Sequence, residues 1–178
     1  EWLDGGLGYE GLDYDLFDRT CSVGFNVANE ESRYFITAGH CHPAGTVVSR
    51  GGTRIGEVLQ AFYPHFDDAI VHVDNEDAWY QGGYVAGYPG FYALNGLSDS
   101  LVGTTVCSSG HATGWTCGVI TMKDESVLWP DGHTVQGLTR HTACVEGGDS
   151  GGSNVRPTSD GVSAEGTTSG AVLVLGMC

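Results

Sequence analysis

Cys144-Val145-Glu146-Gly147-Gly148-Asp149-Ser150-Gly151-Gly152-Ser153 sets one serine inside a run of glycines, next to an aspartate and six residues after a cysteine. A serine hydroxyl is a weak nucleophile. To attack a carbonyl it needs a base beside it and hydrogen-bond donors for the oxygen that turns negative. Glycines let the backbone turn tightly and aim its N–H groups inward. The base must come from elsewhere in the chain, and Thr37-Ala38-Gly39-His40-Cys41 supplies an imidazole.

The 178 residues suit one compact unit or two small barrels sharing a cleft, and 40% apolar residues are enough for a core. No stretch approaches the roughly 18 uninterrupted apolar residues of a membrane-spanning helix. The chain begins at Glu1 with no leader pattern, which reads as a processed form. Six cysteines in so short a chain imply disulfides and an oxidising, extracellular compartment, so the protein reads as secreted. A net charge of −15 argues against nucleic acid or an anionic membrane as partner, and a well-solvated surface is its plainest meaning.

The texture along the chain is all-β. Short apolar, β-branched and aromatic runs occupy Cys21–Val27, Tyr34–Ala38, Thr46–Val48, Ala69–Val73, Leu101–Cys107, Gly118–Met122, Thr134–Leu138 and Ala171–Leu175. Turn residues separate them at intervals of roughly 8–15 residues, and no long helical period appears. Residues 1–20 hold six acids against one arginine and read as an exposed strand and loop leading into the fold. Asp74 to Asn95, rich in glycine, tyrosine and acid, reads as a connection between two halves.

Thr37–Cys41 and Gly148–Gly152, in that order, resemble the chymotrypsin-fold serine proteases. Cys21-Ser22-Val23-Gly24-Phe25, the Cys107–Gly118 segment and Gly137-Leu138-Thr139-Arg140 are similar to the bacterial branch that holds the streptogrisins and α-lytic protease. The resemblance implies two six-stranded antiparallel β-barrels packed face to face, residues 1–97 and 98–178, with the active site in the cleft between them. It implies a secreted serine endopeptidase, monomeric and free of cofactor, acting on protein or peptide substrates and released from a cleaved pro-segment. The alternative is a proteolytically silent relative that acts by binding.

The family sets its triad acid before a short apolar strand, as Asp-x-Ala/Gly-x-Val. Asp67-Asp68-Ala69-Ile70-Val71 fits with Asp67 in the catalytic place, and a shift to Asp68 breaks the pattern. The implied catalytic set is therefore His40, Asp67 and Ser150, with the backbone N–H groups of Gly148 and Ser150 as oxyanion hole. Thr168, Ser169, Gly170 and Ala171 resemble the strand that pairs with an extended substrate. The implied disulfides are Cys21–Cys41, Cys107–Cys117 and Cys144–Cys178. His40-Cys41-His42 has the look of a metal cluster, but no ligand pair with zinc spacing accompanies it, so no metal is expected. The other histidines, His65, His72, His111, His133 and His141, read as surface or loop residues, and Trp115 as packing.

Three departures stand out. Where the branch carries an arginine that neutralises the aspartate beside the nucleophile, this chain has Ser108, so Asp149 must find another partner. Arg140, His111, Arg156 and the Glu1 amino group are the candidates. Ala171-Val172-Leu173-Val174-Leu175 replaces a glycine-rich turn beside the specificity pocket. The family also continues past its last cysteine, here Cys178. Thr168 stands where glutamate-cutting members carry histidine, which disfavours glutamate, and no acid is placed to select a basic residue. A small or medium apolar side chain before the cut is the default expectation, with Glu146 at the cleft's rim.

Overall fold

The computed structural model of the chain describes residues 1–11 and 19–171. Among the described residues every regular element is a strand. The first seven are β1 (Gly8–Gly11), β2 (Thr20–Ser22), β3 (Phe25–Ala28), β4 (Arg33–Thr37), β5 (Val47–Arg50), β6 (Thr53–Ala61) and β7 (Ala69–Val73). They form one sheet in the order β2-β1-β5-β6-β7-β4-β3. The rest are β8 (Tyr84–Ala86), β9 (Phe91–Leu97), β10 (Thr105–Gly110), β11 (Gly114–Leu128), β12 (Thr134–His141), β13 (Ser153–Pro157) and β14 (Val162–Thr167). Their order is β12-β11-β10-β13-β14-β9-β8.

The expected all-β architecture of two halves is present, as two curled sheets of seven strands each where six were expected, and β14 pairs with β9 in parallel rather than antiparallel. The glycine- and tyrosine-rich segment read as a connection supplies β8 and most of β9 to the second sheet. Phe91–Leu97 is largely exposed, so it lacks the inward–outward alternation that marks a strand in sequence. β7 ends at Val73 in the first sheet and β8 opens at Tyr84 in the second.

Each sheet closes over its own apolar cluster. In β7 the side chains of Ala69, Val71 and Val73 point inward while Ile70 and His72 are half-buried, the period-two pattern of a strand with one face in the core. Val71 and Val73 join Tyr9, Phe35, Val48, Ile55 and Trp79, and each fully buried side chain of this size contributes about 1.5–3 kcal/mol. Val85, Val155 and Val162 anchor the second cluster, with Trp115 packed against it and on Tyr92 at 4.7 Å.

Residues 1–11 are not the exposed lead-in expected from the acids of the N-terminal segment. Leu3, Asp4 and Tyr9 are buried, the Gly5 N–H donates to the Tyr84 carbonyl and the Gly6 N–H to the Val23 carbonyl. A β-carbon on Gly6 would lie 1.9 Å from the Ser109 hydroxyl, so only glycine fits there.

Candidate active site

His40 and Asp67 meet because their strands are neighbours. β4 and β7 pair antiparallel with Thr37 opposite Ala69, so the residues just after one strand and just before the other lie at the same end of the sheet. Gly39 permits the approach, since a β-carbon there would sit 2.8 Å from the Asp68 carbonyl oxygen. The Asp67 carboxylate accepts the His40 backbone N–H at 2.8 Å and the His40 Nδ1–H at 2.8 Å, and also the Ser169 hydroxyl. Burial pushes the Asp67 carboxyl up, but these donors outweigh it and hold the group below the usual carboxylate range. Asp68 is exposed and lies outside this line.

With Nδ1 donating to Asp67, Nε2 keeps its lone pair, and the Ser150 hydroxyl donates to it at 2.9 Å. Ser150 belongs to the second half of the chain. It is brought to His40 by bonds across the sheets: the Ser22 N–H donates to the Ser150 carbonyl at 2.8 Å and the Ser22 hydroxyl to the Gly148 carbonyl at 2.8 Å. Ser22 follows Cys21, which is disulfide-bonded to Cys41 beside His40. One covalent bridge and one serine therefore tie the imidazole loop to the hydroxyl loop.

The serine loop depends on glycine conformations. Gly148 has φ 106° and Gly151 φ 81°, both in the left-handed region. A β-carbon on Gly151 would also lie 2.0 Å from the Thr37 hydroxyl. Among the described residues no acceptor takes the backbone N–H of Gly148 or of Ser150.

Asp149 is fully buried, and none of the four candidate cations meets it. Arg140 pairs with Glu125 at 2.8 Å, and Arg156 bonds the Ser98 hydroxyl and lies 4.0 Å from Glu165. The Glu1 amino group donates to the Ala78 carbonyl, and the His111 backbone N–H donates to Ser22. Four donors take the place of a cation. One carboxylate oxygen accepts the N–H groups of Ala112 at 2.8 Å and Thr113 at 3.1 Å. The other accepts the Thr113 hydroxyl at 2.7 Å and the Glu146 N–H at 2.9 Å. Full hydrogen bonding makes a buried carboxylate tolerable without a counter-charge. The tip of the β10–β11 hairpin, stapled by Cys107–Cys117, supplies most of these donors. Ser108 is buried instead beside Thr168, hydroxyl to hydroxyl at 3.4 Å.

Thr168 is locked to the serine loop by two backbone bonds, Gly151 N–H to its carbonyl at 2.7 Å and its own N–H to the Gly152 carbonyl at 2.9 Å. Ser169 is tied to Asp67, and the Trp129 ring covers Gly170 so closely that a β-carbon there would be 2.6 Å away. These residues, with Ala171, border a cavity of about 660 Å³. Glu146 is exposed. His141, read as a surface or loop residue, closes β12 and lines this cavity with its Nδ1 buried. Val172–Leu175 and Cys178, and with them the expected Cys144–Cys178 bridge, lie outside the described residues. Among the described residues there is no group of three or more metal-ligating side chains.

No family model matches the chain. Streptogrisin-C of Streptomyces griseus is 40% identical over 152 residues, covering 84% of this chain and 32% of that protein, so the chain spans about a third of its length. Glutamyl endopeptidase 2 of the same organism is 35% identical over 137 residues, 75% of this chain and 71% of the relative. The crystal structure of Thermobifida fusca protease A superposes with a TM-score of 0.82 at 37% identity, covering 96% of this chain and 84% of that one.

Proposed function

This chain belongs to the bacterial chymotrypsin-fold serine proteases, and from that premise we propose that it is a secreted serine endopeptidase working through an acyl-enzyme. The observation that supports this most is the unbroken line from Ser150 Oγ through His40 to Asp67, with bonds of 2.9 and 2.8 Å. In this reading Ser150 Oγ attacks the scissile carbonyl carbon while its proton passes to His40 Nε2. Asp67 holds the tautomer and stabilises the imidazolium without taking the proton. The N–H groups of Gly148 and Ser150, which no protein acceptor occupies among the described residues, receive the tetrahedral oxyanion. Collapse breaks the C–N bond, and the amine leaves with the proton from His40. Water then adds to the acyl-enzyme by the same route, with His40 as base, and frees the acid.

The substrate is an extended stretch of protein or peptide lying along Ser169–Ala171 as an added strand. Incubation of the folded protein with a mixed peptide pool is expected to give internal cuts, read by mass spectrometry. An intact pool would favour the reading of a silent relative that acts by binding.

The Asp67 environment makes a stability prediction. Its folded carboxyl titrates below its unfolded value, so the ionised form stabilises the fold above the ordinary pKa of about 3.9, and that contribution is lost as pH falls through the lower folded value. Urea unfolding of wild type and Asp67→Asn should therefore show wild type the more stable near pH 5. The difference should shrink on further acidification.

A further inference from the structure

The cavity of about 660 Å³ beside the substrate segment carries chemistry that an apolar slot would not have. Asn154, on β13 four residues after Ser150, is buried, and its Nδ2 donates to the Thr168 hydroxyl at 3.0 Å. Its Oδ1 is buried with no hydrogen-bond partner, and so is Nδ1 of His141. Both residues line the cavity. They approach each other closely enough for the amide to offset part of the effect of burial on the imidazole, yet neither atom completes a bond. Buried polar atoms nearly always take a partner from protein, ordered water or a ligand, so these two are free to pair with a molecule that enters the cavity.

Resting on the protease reading above, we propose that Asn154 and His141 are specificity-determining residues, and that they select a carboxamide side chain, glutamine foremost, immediately before the scissile bond. A carboxamide offers one N–H donor set and one carbonyl acceptor at the same end. Its N–H suits Asn154 Oδ1, and its oxygen suits the imidazole when Nδ1 carries the proton. Turned over, the Asn154 amide would present N–H instead, and the substrate amide would still match it. A carboxylate fits poorly. Five acids line the cavity against two cations, and those cations, Lys123 and Arg140, are already paired with Asp99 and Glu125. A lysine or arginine side chain would carry only donors to Asn154 and His141, and so could not accept from the imidazole N–H. An apolar side chain fills space but leaves both buried atoms unsatisfied, which costs binding. This replaces the apolar default of the sequence reading.

The test uses peptides that differ only in the residue before the cut: glutamine, methionine of similar size, glutamate and lysine. The enzyme is first titrated with a fluorophosphonate, so that rates refer to reactive Ser150. The expected kcat/KM for glutamine exceeds that for methionine by about 10-fold or more, one well-made pairing against orphaned atoms. In His141→Phe and in Asn154→Leu that ratio should fall towards one. His141→Phe serves should Asn154→Leu fail to fold through loss of its Thr168 bond. Labelled enzyme that prefers methionine, glutamate or lysine, or keeps its glutamine ratio in His141→Phe, would overturn the inference alone. Absence of labelling would overturn the protease reading beneath it.

Discussion

Ser150→Ala is expected to lower peptide turnover by about six orders of magnitude, and His40→Ala by a similar factor. The reason is that the two side chains perform one proton transfer between them. Ser150 Oγ has a single basic neighbour at 2.9 Å, and that neighbour is oriented by a carboxylate at 2.8 Å. Either deletion removes the whole device, so the double variant should be hardly slower than either single one. Some acceleration over water should persist, because the Gly148 and Ser150 amides and the Thr168–Ala171 segment, proposed to hold the oxyanion and the substrate, remain. Both variants should fold, since the bond that locates Ser150 runs through its backbone carbonyl to Ser22 and does not use the hydroxyl. Turnover assays with matched urea unfolding curves check both points. A Ser150→Ala variant within tenfold of wild type would place the chemistry elsewhere.

The second large effect concerns Asp149. Replacing it with alanine strands three backbone N–H groups and the Thr113 hydroxyl around a buried void. A donor left without a partner away from water costs about 1–3 kcal/mol, and the loss of all four contacts takes a large share of the 5–15 kcal/mol that typically holds a domain together. Asp149→Ala is therefore expected to unfold, or nearly so, in denaturant titrations at neutral pH.

Asp149→Asn is the more telling variant. Its amide oxygen can still accept from Ala112 and Thr113, and the Thr113 hydroxyl can turn to accept from the new NH₂. Only the Glu146 N–H then faces a donor and loses its bond. Glu146 opens the turn that carries Gly148, so the protein should fold while the oxyanion donors move. Loss of one such donor costs about 100- to 1000-fold in rate, and Asp149→Asn is expected to lose turnover by about that factor with modest change in stability. Wild-type turnover in folded Asp149→Asn would show that this carboxylate does not set the loop.

How much of this was readable in the chain follows from the range of each interaction. His40 and Ser150 are legible because the glycines and short polar residues around them are required locally. Asp67 is legible because Asp67-Asp68-Ala69-Ile70-Val71 matches the triad-acid pattern of the family that the chain resembles. The all-β character follows from the same short runs. Three things were hidden. β8 is only three residues long and β9 is exposed along most of its length, which removes the periodic signal. The partners of Asp149 are mostly backbone amides, which every residue but proline possesses, so a search for cations had nothing to find. Asn154 and His141 converge only because β12 and β13 both border one cavity, a long-range fact that neither segment records. Thr168 was noticed for what it is not, a histidine, whereas its hydroxyl matters as the acceptor that orients Asn154.

The central claim is that an imidazole and a serine hydroxyl from opposite sheets act as a nucleophile pair, and a fluorophosphonate reads it directly. The account predicts one adduct per chain, mapped by peptide mass spectrometry to Ser150, formed rapidly in wild type, abolished in Ser150→Ala and greatly slowed in His40→Ala. A folded wild-type chain that takes up no label, or takes it up equally well without His40, would contradict it.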